Sequence, residues 1–543
     1  MDIFSVKTTP FQDQQTGTGG LRRKTSVFKQ KHYVENFVQS IFDACSGFEG
    51  KTLILGGDGR YFNDRAIQAI IKLSVANQFG RLIIGQNGLL STPAVSHLIH
   101  KHKAFGALIL SASHNPGGPD GDMGIKFDTH TGSGAQESLT NVICEKARTI
   151  DRFWTCDMPD VDLTKTGITY AGATEIQVID SVYDYAAYMQ QIFDFPAIKG
   201  LFEKGFTMRY DALNASSGPY AHYIFEKLLG APVGTVVRGT PLPDFGGLHP
   251  EPNPVYAKDL CDLAYSDNAP DLCCASDGDS DRYLLVANHF YITPSDAFAV
   301  MADHIAEIPF YKDKVYGFAR SMPTAWAVDL VVKDKGYPVY ETPTGWKFFE
   351  SLLANKKITL CGEESFGASS LHMGEKDGIW AILLWLNILA YTGKTSEELV
   401  TEMWDKYGRV FYSLHNYDGL DGKLAAQIVD DVVKKLPTLK GKKFGEYEVE
   451  SAGPYIYTDP ITKEVSSVPC ALITFTNKSK IIMRLSGTTS AGATYRIYLL
   501  RQVNDPALYR QDLQIVVKDL ADIAEEISEV KKRTGRSAPS VIL

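Results

Sequence analysis

Ala107-Leu108-Ile109-Leu110 runs straight into Ser111-Ala112-Ser113-His114-Asn115-Pro116-Gly117-Gly118. The first four residues are short, continuous and apolar, as a buried strand requires, and the eight that follow are small, polar and turn-forming. The same transition occurs twice more. Leu272-Cys273-Cys274-Ala275 enters Ser276-Asp277-Gly278-Asp279-Ser280-Asp281-Arg282, and Ile358-Thr359-Leu360-Cys361 enters Gly362-Glu363-Glu364-Ser365-Phe366-Gly367. Ligands collect at the carboxyl ends of strands in α/β sheets. Three α/β units, each presenting one polar loop to a shared cleft, are therefore expected.

The segments around these loops agree. The strand-like run from Lys51 to Leu55 is followed by a polar turn and by helical spacing from Ala66 to Ala76; a further apolar run spans Arg81 to Ile84. Similar units recur from Phe206 to Leu213 and from Lys314 to Ala319. Alternation of this kind predicts α/β layers with a largely parallel sheet. After about Tyr407 the texture changes. Lys434, Lys435, Lys440, Lys442 and Lys443 surround Pro437, and alternating strands follow from Ala471 to Asn477 and from Lys480 to Leu485. This reads as a separate α+β domain whose lysines form a solvated surface.

A chain of 543 residues exceeds a single core and suggests three or four domains. With 44% hydrophobic, 22% charged and 11% aromatic residues, disordered, collagen-like and coiled-coil classes are excluded. A net charge of −9, from 55 basic and 64 acidic residues, disfavours a general nucleic-acid binder. The eight cysteines form no C-x-x-C and read as reduced thiols. No signal peptide is visible. The most apolar stretch, from Ile379 to Tyr391, is broken by Asn387 and is shorter than the ~20 residues that cross a bilayer. It fits a buried core helix, and a soluble cytoplasmic protein is expected.

Asp277-x-Asp279-x-Asp281 places three carboxylates within five residues. Such a cluster repels itself unless water or a hard cation screens it. An EF-hand is excluded, because Arg282 takes the sharp-turn glycine position and Asn288 the bidentate glutamate position. Three oxygen ligands leave places for water or phosphate, the habit of Mg²⁺, although an acidic surface turn has the same composition. Arg282 adds a fork for a phosphate oxygen. Ser113 lacks the G-x-S-x-G elbow of a serine hydrolase. In extended backbone His114 points away from it, so a phosphoryl-carrying serine competes here with a plain Asn-Pro-Gly-Gly turn. Two candidate oxyanion cradles follow: Arg484 to Arg496, with Ser486, Gly487, Thr488, Thr489 and Ser490 between them, where a plain Ser/Gly/Thr loop between strands is the alternative, and the basic glycine-rich run from Thr16 to Lys24, holding Thr18 and Arg22, where a flexible basic arm is the alternative. The run from Gly47 to Thr52 fails as a phosphate loop, since Cys45 stands at the first glycine; Gly17-x-Gly19 fails as a dinucleotide fingerprint.

Taken in order, the serine loop, the D-G-D-x-D-R loop, G-E-E-S-F-G and R-L-S-G-T-x-S-A-G-A-T closely resemble the α-D-phosphohexomutases, in particular their eukaryotic phosphoglucomutase branch. Gly85 to Ala94, Asp244 to Gly247, Pro343 to Lys347 and Glu375 to Gly378 extend the resemblance over nearly the whole chain. It implies a four-domain, heart-shaped α/β enzyme: three related mixed-sheet domains at 1–188 (serine loop), 189–304 (metal loop) and 305–406 (sugar loop), and an α+β phosphate-binding domain at 407–543. It further implies reversible interconversion of glucose 1-phosphate and glucose 6-phosphate through a phosphoserine and a glucose 1,6-bisphosphate intermediate. Mg²⁺ would be held by Asp277, Asp279, Asp281 and the phosphate on Ser113.

Carried over by position, Ser113, His114, Arg282 and Lys376 are the catalytic residues, with Lys376 in proton transfer. Thr18, Arg22, Asp281, Arg282 and Lys376 contact substrate near the transferred phosphate. Thr344 and Gly345 orient the sugar, and Glu363 and Ser365 bind its hydroxyls. Arg484, Ser486, Gly487, Thr488, Thr489, Ser490 and Arg496 clamp the other phosphate. The expected partners are small sugar phosphates, with neither nucleic acid nor a membrane span, and the protein is expected to be a monomer or weak dimer. Relatives acting on other hexose or pentose phosphates, and a low-activity structural or signalling paralogue, are the alternatives. Ser111 replaces the family's threonine, Gly19 its serine, and Leu371 and Gly374 its aspartate and arginine. Ser111 preserves a hydroxyl and Gly19 removes a polar group, while Leu371 and Gly374 bear on substrate affinity and loop closure, not on the reaction class.

Overall fold

The computed structural model describes residues 1–17, 19–489 and 492–543, with backbone alone at 469 and 487–489. The chain forms two compact units. One comprises Met1–Tyr291, Ala306–Lys314 and Phe366–Gly393; the other comprises Ile292–Ile305, Val315–Ser365 and Lys394–Leu543.

The first unit is built on a seven-stranded sheet in the order Leu21–Lys24, Asp122–Thr129, Gly106–Leu110, Thr52–Gly57, Arg81–Leu89, Thr174–Ile179 and Gly167–Ala171. Its four consecutive strands from Gly106–Leu110 to Thr174–Ile179 pair in parallel, and the three outer pairings are antiparallel. Helices on both faces explain the unbroken apolar runs. Leu53 and Leu55 join Leu82, Ile84 and Leu108 against helices Tyr33–Ala44 and Asn63–Ala76. Ile54, between them, joins Ile83, Ala107 and Ile109 under helix Thr92–His102. A strand buried on both sides has no polar face to alternate with.

A second sheet in this unit has the order Val236–Val237, Met208–Asp211, Leu272–Ser276, Tyr283–Ala287 and Phe290–Tyr291. Leu272–Ser276 and Tyr283–Ala287 pair antiparallel, with Ser276 opposite Tyr283. The acidic triplet therefore sits in a hairpin, and the serine loop likewise joins antiparallel neighbours. The two loops close hairpins instead of opening the strand-to-helix crossovers of a parallel sheet, so both sheets are mixed. Helix Gly378–Thr392 is buried almost throughout, as expected of the most apolar stretch. Its one polar interruption, Asn387, is fully buried and accepts a hydrogen bond from the Asp194 N–H at 3.0 Å. Among the described residues no helix is long and apolar enough to cross a membrane.

In the second unit, Val339–Thr342, Phe318–Ser321 and Leu360–Glu363 pair in parallel. The C-terminal part is an antiparallel seven-stranded sheet, ordered Lys443–Phe444, Tyr447–Thr458, Val465–Phe475, Lys480–Thr489, Gly492–Val503, Arg409–Leu420 and Val541–Ile542. Helices Gly422–Lys435 and Lys518–Ser528 bury Ala425, Ile428, Leu520 and Ile527 with it. The lysine-rich stretch lies on the surface as expected, Lys442 paired with Glu526 and Lys443 with Glu448. All eight thiols are free.

Gly57 ends the central strand of the first sheet where a side chain has no room: a Cβ there would overlap the Leu110 carbonyl oxygen. Gly57→Ala is expected to cost roughly 1–3 kcal/mol by overpacking. Urea denaturation checks this, with a lower midpoint expected for the transition that includes the first unit.

Candidate active site

Ser113 follows the buried strand Gly106–Leu110 and is itself 1% exposed. Its φ is +53°, the left-handed region, which costs a non-glycine residue roughly 1–2 kcal/mol. The neighbouring structure compensates. The Ser113 N–H donates to Ser111 Oγ at 2.7 Å, and Ser111 Oγ donates to Asp58 Oδ2 at 2.6 Å. The Ser113 carbonyl accepts from Arg60 Nη2 at 2.7 Å. Held this way, Ser113 Oγ donates to Asp277 Oδ2 at 2.8 Å. The left-handed turn also breaks the strand-like alternation expected of His114, whose Nδ1 comes to 3.4 Å from Ser113 Oγ instead of pointing away.

The three aspartates are almost wholly buried and offer oxygens that lie within 4.8 Å of one another. Asp277 Oδ1 accepts from its own loop, the Asp281 N–H at 2.9 Å and the Arg282 N–H at 3.2 Å. Asp279 Oδ2 accepts from Thr92 Oγ1 at 2.6 Å and from Lys126 Nζ. Asp281 Oδ2 lies 3.3 Å from Lys376 Nζ and 3.6 Å from Lys126 Nζ. Burial, then the Asp281 and Asp279 charges, pushes the Asp277 carboxyl well above the usual range. Burial would do the same to Asp279, but Lys126 outweighs it and holds that carboxyl well below. Lys126 is buried too, yet the Asp279 and Asp281 charges keep its ammonium above the ordinary value. Glu375, which accepts from the Gly134 N–H at 3.1 Å, is pushed up to about 7 by burial against the pull of Lys126 and Lys376.

Two buried oxygens of this cluster, Asp279 Oδ1 and Asp281 Oδ1, have no hydrogen-bond partner. Buried acceptors are rarely left so. With carboxylate donors only, the group suits a hard oxygen-binding cation. Arg282 flanks it, its Nε 4.0 Å from Asp277 and its Nη1 3.5 Å from Glu251. Arg22, on strand Leu21–Lys24, is close enough for Asp279, Arg282 and Asp281 to act on its charge. Four basic side chains (Arg22, Lys126, Arg282 and Lys376) thus surround the three aspartates, with Glu251 and Glu375 beside them, so cationic and anionic groups alternate around the cluster. The first unit therefore brings together Ser113, His114, Arg22, the three aspartates, Arg282 and Lys376. Lys376 is largely buried and turned towards Asp281, while the adjacent Asp377 caps helix Gly378–Thr392 and accepts from Tyr185 at 2.7 Å.

The second unit holds two further groups. The Gly345 N–H donates to Glu363 Oε1 at 3.2 Å, and Thr344 Oγ1 is buried without a hydrogen-bond partner. The adjacent Glu364 is engaged structurally, accepting from Ser321 Oγ at 2.8 Å; Ser365 next to it is half-buried. On the C-terminal sheet Arg484 and Arg496 stand directly opposite on neighbouring strands, with Ser486 opposite Thr494. Like charges placed so are unfavourable and suit an anion between them; Tyr498 Oη meanwhile accepts from Arg484 Nη2 at 2.9 Å. Thr18 and Ser490 lie outside the described residues, and of Gly487, Thr488 and Thr489 only the backbone, in strand Lys480–Thr489, is described.

Lys126, Asp58, Arg60, Thr92 and Glu375 also stand at this site, although no motif in the sequence singles them out as site residues. For Asp58 and Arg60 a signal short of a motif exists. The strand Thr52–Gly57 also runs into a compact polar turn, Asp58-Gly59-Arg60, as the three chosen strands do. Lys126 lies within a strand and carries no such mark.

The chain matches the phosphoglucomutase/phosphomannomutase α/β/α domains I, II and III over residues 13–153, 183–289 and 293–407. Residues 409–540 match the phosphoglucomutase-1 C-terminal domain. It is 48% identical over 540 residues to a phosphoglucomutase of Rhizobium radiobacter, covering 99% of this chain and 100% of the relative. It is 43% identical to phosphoglucomutase-1 of Homo sapiens, covering 99% of each. Among solved structures, the phosphoglucomutase pp63/parafusin of Paramecium, in its open form, superimposes with a TM-score of 0.91 at 40% identity, covering 100% of this chain and 99% of that one. With three α/β domains and a distinct C-terminal domain matched in order, the chain belongs to the phosphoglucomutase/phosphomannomutase family.

Proposed function

We propose that the protein is a phosphoglucomutase, an intramolecular phosphotransferase that interconverts glucose 1-phosphate and glucose 6-phosphate through a phosphorylated Ser113 and glucose 1,6-bisphosphate. Full-length relatives of that name support the activity. One observation carries the site: Ser113 Oγ lies 2.8 Å from Asp277 within a buried carboxylate cluster ringed by basic side chains. On this reading the four domains are 1–188, 189–304, 305–406 and 407–543, and the enzyme works in the cytoplasm as a monomer or weak dimer.

Asp277, Asp279 and Asp281 hold Mg²⁺, which when bound neutralises charge on the phosphoryl oxygens. The protein's own part is positioning and charge stabilisation, the main sources of catalysis in phosphoryl transfer. Arg282, Arg22 and Lys126 attract the negative charge that a phosphoserine carries, roughly −1.5 to −2 at neutral pH. Lys376 exchanges protons, giving one to the departing Ser113 Oγ and taking that of the attacking sugar hydroxyl. The new bond joins that hydroxyl oxygen to phosphorus as the bond from phosphorus to Ser113 Oγ breaks. The restored hydroxyl then donates to Asp277, as it does in this structure. His114 neighbours the reacting oxygen. Glu363, Ser365, Thr344 and Gly345 recognise sugar hydroxyls, and Arg484, Ser486, Gly487, Thr488, Thr489, Ser490 and Arg496, with Thr18 on the N-terminal run, hold phosphate.

In a coupled assay across sugar 1-phosphates, glucose 1-phosphate is expected to turn over fastest; preference for mannose, N-acetylglucosamine or pentose phosphate would reassign the substrate. Ser113→Ala should lower kcat by several orders of magnitude, and near-normal turnover would defeat the carrier role. Chelation should abolish activity and Mg²⁺ should restore it; indifference to chelator would count against the aspartates as ligands.

A further inference from the structure

Arg60 is 1% exposed, and its ion pair with Asp58 is fully buried on both sides. A buried pair of this kind contributes little net stability compared with apolar residues of similar volume, so what it orients is the informative question. Its Nε donates to Asp58 Oδ1 at 3.0 Å and Oδ2 at 2.9 Å, and its Nη2 lies 2.8 Å from Oδ2. Its other hydrogen bonds go to main-chain carbonyls of the serine loop and of the strand residue that follows it: Nη2 to Ser113 at 2.7 Å, and Nη1 to Asp122 at 2.8 Å and Asn115 at 3.3 Å. The plane of the guanidinium is backed by the Phe245 ring, 5.2 Å away. Asp58 completes the grip from the other side, since Ser111 relays it to the Ser113 N–H. Both main-chain polar groups of Ser113 are therefore tied to one ion pair. The carbonyl also faces Gly278, where a Cβ would overlap it, so the clamp sets the serine loop against the loop of the aspartates.

We propose that Arg60, anchored by Asp58, is a positioning residue for phosphoryl transfer, holding the Ser113 main chain in the left-handed conformation that aims Oγ at Asp277. The inference rests on the reading of Ser113 as phosphoryl carrier. It needs the planar fork of arginine, because a lysine cannot reach a carboxylate and three carbonyls in one plane. The Arg60 guanidinium hydrogen-bonds Asp58 and main chain and packs on Phe245, none of them a group assigned to sugar phosphate, so its loss should act on the transfer step and not on affinity for sugar phosphate. A displacement of about 1 Å at the reacting oxygen costs on the order of 100-fold in rate.

The test compares full-length wild type with Arg60→Met, Arg60→Lys and Ser111→Ala. Each is treated with glucose 1,6-bisphosphate, the phosphate is located by peptide mass, and kcat, KM for glucose 1-phosphate and melting temperature are measured. Arg60→Met should lose about 100-fold in kcat with KM unchanged and should phosphorylate Ser113 correspondingly slowly; Arg60→Lys should recover only part of this. Wild-type kcat and labelling rate in folded Arg60→Met would overturn the inference, as would a lower melting temperature with unaltered kcat. If Arg60→Met does not fold, Ser111→Ala, which cuts only the relay, decides: reduced kcat at unchanged KM supports the clamp, and wild-type kcat in both it and Arg60→Lys overturns it. Failure of the carrier reading shows separately, as wild-type protein that gains phosphate elsewhere than Ser113 or not at all.

Discussion

Three carboxylates removed from water within one hairpin are the constraint around which the first unit is arranged. Unpaired, each would be costly to bury and would repel the others in a medium of low dielectric. Asp277 is met by amides of its own loop and by the Ser113 hydroxyl, Asp279 by Thr92 and Lys126, and Asp281 by Lys376 and Lys126. Those partners arrive from the strand Asp122–Thr129, the start of helix Thr92–His102 and the turn before helix Gly378–Thr392. The compensation is uneven. Arg282 Nε stands 4.0 Å from Asp277 whereas Lys126 bonds Asp279 directly, and the two carboxyls are driven in opposite directions, up for the former and down for the latter. The same oxygens that remain without a partner are those a hard cation would take.

Much of this is legible in the amino-acid sequence. Apolar runs ending in compact polar loops locate the Ser113 and aspartate loops at the ends of buried strands, because a strand covered on both faces leaves an uninterrupted apolar signature. The break at Asn387 was legible as a break, and its reason, a buried hydrogen bond to the Asp194 main chain, is tertiary. What could not be read is what depends on pairing between strands distant in sequence. Lys126 becomes part of the site only because its strand lies beside Gly106–Leu110, and the direction of His114 only because Ser113 leaves the extended conformation. Hairpin closure of the two loops is equally invisible to periodicity, which reports burial and not strand direction.

The departures from the family pattern have a local physical sense at Gly374. Its N–H donates to Ser96 Oγ at 3.2 Å and its carbonyl accepts from Ser133 Oγ at 2.6 Å. A Cβ at this position would overlap Ser133 Oγ and crowd the main chain at 131–132. An arginine here would need the 131–133 segment to move away, so this chain packs its main chain closely where the pattern carries a long basic side chain. Gly19 is tight in another manner, a Cβ there meeting the movable end of the Arg22 guanidinium. Nothing in the structure explains Leu371.

The positive φ of Ser113 limits which alcohol can serve at that position. Threonine offers the same hydroxyl, but branching at Cβ makes a left-handed backbone far less accessible to it than to serine. Stereochemistry thus selects between two chemically equivalent hydroxyls before reactivity has any say, and the clamp that imposes the selection makes the position intolerant of an otherwise conservative exchange.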